Sequence, residues 1–167
     1  MNLHAFSTRL AIAGALLTFA VPAAAQDATL GVSAEVKASC TVATTPIAFG
    51  QVDVTSGTAF TGNGGLNVTC TNGTSWSVSA DAGQGTGATL ADRRMSNGTG
   101  DLLSYVLYTD ATRTQIWGDG VEGLTTTFAD VGTGTLQSKT IYAKVPGGQT
   151  SLPAGNYDDV VNLTVTY

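Results

Sequence analysis

The sequence predicts an all-β protein built as a sandwich of antiparallel strands. Charged residues make up only 11% of the chain while 21 residues are Gly, and Thr, Ser and Val are abundant. Short alternating segments bounded by Gly, Asn or Asp recur, and no long stretch with a period near 3.6 follows the N-terminal leader.

The leader comes first. Arg9 precedes an uncharged run from Leu10 to Val21, closed by Pro22 and the small residues Ala23, Ala24 and Ala25. This is the pattern of a secretory signal peptide over residues 1–25, with the cut expected between Ala25 and Gln26. The apolar run is too short to cross a bilayer core of about 30 Å as a helix. What remains, 26–167, has the length of one domain with a real core, and none of it reads as a membrane insertion.

Removing the leader takes away His4 and Arg9, so the exported part is mildly acidic and has no histidine. Nucleic acid and anionic membrane both demand a basic patch and are not expected as partners. The one basic pair, Arg93-Arg94, reads as a solvated strand edge or turn. Cys40 and Cys70 are the only cysteines, and an exported chain with two usually pairs them. A metal site would need further His or Cys ligands, so no metal and no cofactor is expected.

Strands are predicted over Leu30–Ser39, Pro46–Val54, Leu66–Thr71, Trp76–Ala80, Leu102–Tyr108, Thr126–Asp130, Lys139–Val145 and Tyr157–Tyr167. Between them, Gly62-Asn63-Gly64-Gly65, Gly83–Gly87, Asn97-Gly98-Thr99-Gly100 and Pro146-Gly147-Gly148 read as turns.

Both ends carry strict alternation. Leu30, Val32, Ala34, Val36 and Ala38 share one face of the first segment, with Gly31, Ser33, Glu35, Lys37 and Ser39 on the other. In the last segment Val161, Leu163, Val165 and Tyr167 share a face opposite Asn162, Thr164 and Thr166. Periodicity alone favours the first segment as the opening strand of a self-contained sandwich. The sharper reading is donor-strand exchange, in which an extended peptide completes another subunit's sheet through main-chain hydrogen bonds and alternate side-chain pockets. The first segment lies upstream of Cys40, outside the predicted disulfide loop, and is free to leave its own domain.

Catalysis is not expected: with no histidine and no free cysteine in the exported part, the common triads and dyads cannot be assembled. Gly83-Gln84-Gly85-Thr86-Gly87 lacks both dinucleotide spacing and a following Lys-Ser or Lys-Thr. Asp92, Asp101, Asp110 and Asp119 recur at nine-residue intervals without forming a calcium loop and read as turn residues. Trp76, Trp117, Tyr105 and Tyr108 could stack on sugars, although aromatics in β-rich segments are usually core.

A set of motifs spans nearly the whole exported part: Cys40, Phe49-Gly50, the run Gly65–Gly73 containing Asn67-Val68-Thr69-Cys70, Arg94-Met95, Leu103–Tyr108, Trp117-Gly118, and the block Pro153–Tyr167 with Gly155-Asn156-Tyr157-Asp158-Asp159 followed by an alternating strand. In order and spacing the set resembles the spore coat protein U domain family, which includes subunits of archaic, Csu-type chaperone-usher pili. The resemblance implies an incomplete immunoglobulin-like antiparallel β-sandwich, residues 40–167, completed by donor-strand exchange. It makes 26–39 the donor strand, with Leu30, Val32, Ala34, Val36 and Ala38 entering a neighbour, and it makes Tyr157, Val161, Leu163, Val165 and Tyr167 the strand that pairs with a chaperone and then lines the acceptor groove. The implied partners are neighbouring pilus subunits, a periplasmic chaperone and an outer-membrane usher. The implied location is the fimbrium at the cell surface, reached through the periplasm, in service of attachment and biofilm formation. Two other readings stand beside it: a secreted spore or cell-surface coat protein that completes its own sheet, and a carbohydrate-binding β-sandwich module.

Overall fold

The computed structural model describes residues 23–121 and 124–167, so most of the expected signal peptide lies outside the described residues. The chain divides into two units, one ending at Glu35 and one from Val36 to Tyr167. In the first unit the described residues form no strand, and Leu30 and Val32 are 90% and 88% exposed. The strand expected over Leu30–Ser39 is therefore absent. Among the described residues every ladder lies within Cys40–Thr166, and an isolated apolar-polar alternation has no intrinsic reason to become a strand without a sheet to pair with.

Among the described residues of the second unit, every strand ladder is antiparallel. Eight strands follow in order: β1 (Cys40–Thr45), β2 (Phe60–Cys70), β3 (Ser75–Ala80), β4 (Arg93–Ser96), β5 (Leu102–Tyr108), β6 (Phe128–Val131), β7 (Gln137–Val145) and β8 (Leu163–Thr166). Five of them make one sheet in the order β1-β2-β7-β5-β4, and three make another in the order β6-β3-β8. Alternate residues of β2, β3, β5 and β7 are buried between the layers, with Leu66, Val68, Val78, Ala143 and Val145 wholly inaccessible. Trp117 closes the core, its indole N–H donating to the Val78 carbonyl at 3.0 Å and its ring set edge-on to Phe128 at 5.1 Å.

Cys40 pairs in register with Cys70 on the neighbouring strand, and the two form a disulfide. It pins the register of β1 on β2, and by closing a 30-residue separation it stabilises the fold by roughly 3–4 kcal/mol in the chain-entropy model.

The structure corrects several expectations. Gly62, Gly64 and Gly65 form no turn; they lie within β2, which pairs with β7 through them. A Cβ on Gly64 would come within 2.5 Å of Ile47 and 2.9 Å of the Thr45 carbonyl, so these glycines let the chain after β1 lie against β2. That chain, Pro46–Val54, is irregular rather than the expected strand, and the first strand lies earlier, at Cys40–Thr45. β4 was not anticipated. Arg93, expected to be solvated, is fully buried: its guanidinium donates to the carbonyls of Leu90 (2.9 Å), Asp81 (2.9 Å) and Trp117 (2.8 Å). Burial lowers its pKa, an effect opposed by Tyr105, Asp81 and Asp159. The sixth strand is offset to Phe128–Val131, and the last is confined to Leu163–Thr166, because the chain before it passes from one sheet to the other.

Candidate functional site: an open groove between the sheet edges

β1 and β8 are each hydrogen-bonded on one side only. Past β1, the segment Pro46–Phe49 turns across the glycines of β2, placing Ile47 and Phe49 against Gly62 and Gly64. Phe49 reaches Tyr105 edge-on at 6.4 Å. Approaching β8, the segment from Leu152 to Val161 runs along the opposite side. Between these two walls lies a groove in two contiguous sections that share Ile47, Met95, Tyr157 and Asp158.

The smaller section encloses about 470 Å³, with Thr44–Ile47 on one side, Asp158–Val161 and Leu163 on the other, and Tyr105, Leu107, Trp117 and Ile141 as floor. The larger one, about 930 Å³, runs between Ile47–Thr55 and Leu152–Asp158 over Met95 and Leu103. Thr44 thus shares a section with Leu163, and Val54 shares one with Leu152, so the walls run in opposite directions. A strand laid between them is antiparallel to one wall and parallel to the other.

The floor is the protein core itself. Trp117, Leu107 and Ile141 belong to the buried cluster, while Ile47, Val52, Val54, Met95, Leu152, Tyr157, Val161 and Leu163 pack against that cluster yet remain only partly covered. An apolar layer left open along a trough is what a sandwich lacking one strand presents; the fold is an incomplete immunoglobulin-like antiparallel sandwich. Of the residues expected to line a groove, Tyr157, Val161 and Leu163 do so. Val165 instead packs on the core from β8, and Tyr167 is 58% exposed and lines neither section.

Polar side chains hold the second wall. Tyr105 donates its hydroxyl to Asp159 Oδ2 at 2.6 Å, and Gln84 N–H donates to Asp159 Oδ1 at 2.7 Å. Asn162 donates to Asp81 through both its side-chain amide (2.7 Å) and its backbone N–H (3.0 Å). Burial pushes the Tyr105 hydroxyl far above its ordinary pKa, with Asp159 adding to the effect, so it stays a proton donor. Burial opposes ionisation of Asp81, but the Asn162 side chain, the Gly83 and Asn162 amides and the Arg93 charge together hold its carboxyl below the usual range.

The four evenly spaced aspartates serve turns. Asp92 pairs with Arg94 at 2.9 Å, Asp101 accepts from the Asn97 amide, Asp110 accepts from Thr112, Thr114 and Gln115, and Asp119 accepts from Val121 N–H and Thr125. Among the described residues no cluster of His, Cys, Asp or Glu could hold a metal ion. Trp76, Trp117, Tyr105 and Tyr108 are all buried, so none of these four rings is free to stack on a sugar.

Comparison with known proteins agrees with this architecture. In fold the chain is similar to a chain of the chaperone–tip adhesion subunit pre-assembly complex from archaic chaperone-usher Csu pili of Acinetobacter baumannii, with a TM-score of 0.59 and 18% identity over 79% of this chain and 40% of that one. In sequence it is 36% identical over 111 residues to Protein U of Myxococcus xanthus, covering 64% of this chain and 60% of that protein. The chain therefore spans less than two thirds of either. Residues 26–164 match the Spore Coat Protein U domain, and the chain belongs to that family.

Proposed function

We propose that the protein is a structural, non-enzymatic subunit of a chaperone-usher pilus. It polymerises by donating residues 26–39 to the groove of a second copy and accepting the same segment from a third. The observation that carries this reading is the trough itself: a core left open between two unpaired edges, in a chain whose own N-terminal segment displays Leu30, Val32 and Val36 at 90%, 88% and 84% exposure. Ala34 and Ala38 continue the same face with smaller side chains. Burying the three large residues contributes on the order of 5–8 kcal/mol before ordering costs, and backbone pairing adds to it.

In this reading residues 1–25 direct export and are removed. A periplasmic chaperone covers the groove before assembly, and an outer-membrane usher passes the subunit to the cell surface, where the fibre supports attachment and biofilm formation. Having both a donor segment and an acceptor groove, the chain acts within the shaft or as an adaptor.

The test is an unheated SDS gel of material sheared from cells producing the intact chain or a variant with Leu30, Val32 and Val36 changed to Asp. A ladder of oligomers that heating collapses and the variant lacks is expected. Monomer alone from both would overturn the proposal and point to a coat protein that completes its own sheet.

A further inference from the structure

The wall formed by the C-terminal segment is not held by a ladder along part of the smaller groove section. Asp158 bridges Ser96, with backbone bonds of 2.9 and 3.0 Å, and the next registered pair is Leu163 with Ala80. Ser96 belongs to the larger sheet and Ala80 to the smaller, so the chain changes sheets between Asp159 and Asn162. We propose that Tyr105 and Asn162 are positioning residues for strand uptake, fixing this crossing and with it the shape of the smaller section. The inference rests on the strand-accepting reading.

Tyr105 acts on two surfaces at once. Its ring belongs to the buried core and lines the groove floor, and its hydroxyl donates to Asp159 on the wall at 2.6 Å. The floor and the wall are thereby joined by one side chain that has no freedom to lengthen. Asp159 spends its other oxygen on the backbone N–H groups of Gln84 (2.7 Å) and Val160 (2.8 Å), so its carboxylate replaces the missing ladder acceptors at the crossing. Gly83 is shaped to this arrangement: it sits at φ +84°, and a Cβ there would collide with the Asp159 carboxylate.

At the far end of the crossing, Asp81 receives both donors of Asn162 and returns its own N–H to the Asn162 carbonyl at 3.0 Å. Arg93 donates to the carbonyl of the same Asp81, which anchors that residue from beneath. The wall is thus fixed at both ends by side chains from other elements.

A strand entering the groove needs the wall's backbone groups in place before it arrives. If the crossing drifts, each incoming hydrogen bond must also restrain the wall, and the bound strand leaves sooner. The experiment uses the full chain with Leu30, Val32 and Val36 changed to Asp, so that it accepts without donating, and a fluorescent synthetic peptide of residues 26–39. Tyr105→Phe removes the hydroxyl and keeps the ring; Asn162→Ala removes an exposed amide and leaves the core untouched. Each is expected to release the peptide about tenfold faster, the effect of one well-made hydrogen bond. Each should also speed amide hydrogen exchange at Val160–Asn162, and for Asn162→Ala, whose amide is exposed, the thermal midpoint should fall by no more than about 5 °C. Unchanged release and exchange in Asn162→Ala, and in Tyr105→Phe where it folds, would overturn this inference alone. A peptide that binds none of the chains, the parent included, would overturn the strand-accepting reading and this inference with it.

Discussion

Replacing Arg93 by Met removes a buried cation and leaves the carbonyls of Asp81, Leu90 and Trp117, the first two partly buried and the third buried, without the donors that now reach them at 2.8–2.9 Å. Hydrogen bonds to a charged group contribute about 1.5–3 kcal/mol each, so the gross loss is roughly 5–9 kcal/mol. Against this, the substitution relieves several kcal/mol spent on desolvating the guanidinium. The net cost is expected near 3–5 kcal/mol, a large share of the roughly 5–15 kcal/mol that a domain possesses. Equilibrium urea unfolding measures it, in the chain with Leu30, Val32 and Val36 changed to Asp, so that the proposed assembly cannot couple to unfolding. With m near 2 kcal/mol/M, the midpoint should fall by about 2 M at unchanged m. Arg93→Lys, whose compact ammonium cannot span three carbonyls, should fall between the two. A shift below about 0.3 M for Arg93→Met would mean that the three carbonyls find other donors and that the guanidinium contributes little to the fold.

Replacing both Cys40 and Cys70 by Ser should cost about 3–4 kcal/mol in the same urea measurement, in line with the loop they close. Gly64→Ala puts a methyl where Ile47 and the Thr45 carbonyl already sit; thermal unfolding should report a loss of about 1–3 kcal/mol, and peptide uptake should weaken because Ile47 lines both groove sections. The carboxyls of Asp81 and Asp92 are held below their ordinary range in the folded chain, so the stability they contribute is present above the unfolded carboxylate pKa of about 4 and is lost as pH falls through their depressed native values. Urea midpoints measured from pH 6 downward should decline, and Asp81→Asn should flatten part of that decline.

The sequence made the fold class and most strands legible because buried alternation is a local signal: Trp76–Ala80, Leu102–Tyr108 and Lys139–Val145 lie on or within β3, β5 and β7. It misled where a residue's role depends on what crosses over it. Gly62, Gly64 and Gly65 look like a turn, and only the passage of Thr45 and Ile47 over them explains glycine inside a strand. Arg93-Arg94 looks like a solvated pair, yet the first arginine answers three carbonyls, of which only Leu90 is near in sequence, and no local pattern encodes those of Asp81 and Trp117. In the same way the terminal alternation suggested one long strand from Tyr157, whereas it pairs with β3 only from Leu163, because Asp159 and Asn162 are committed to Tyr105, Gln84 and Asp81 before it.

Under the proposed function, a sandwich with an open core must be stable before it takes up a strand, and these commitments support that. The residues that fix the crossing are satisfied by groups within the second unit, and no buried side-chain nitrogen or oxygen among the described residues lacks a partner. The deficit is therefore apolar and lies along the trough, at Ile47, Val52, Met95, Tyr157, Val161 and Leu163. An apolar deficit is the kind that an alternating strand such as Leu30 to Ala38 can relieve without rearranging the polar frame. Because the polar frame is already made, uptake should proceed with little change in the wall's hydrogen bonds; because the floor is the core itself, each apolar side chain that enters should raise the resistance of the whole sandwich to unfolding, not of the trough alone.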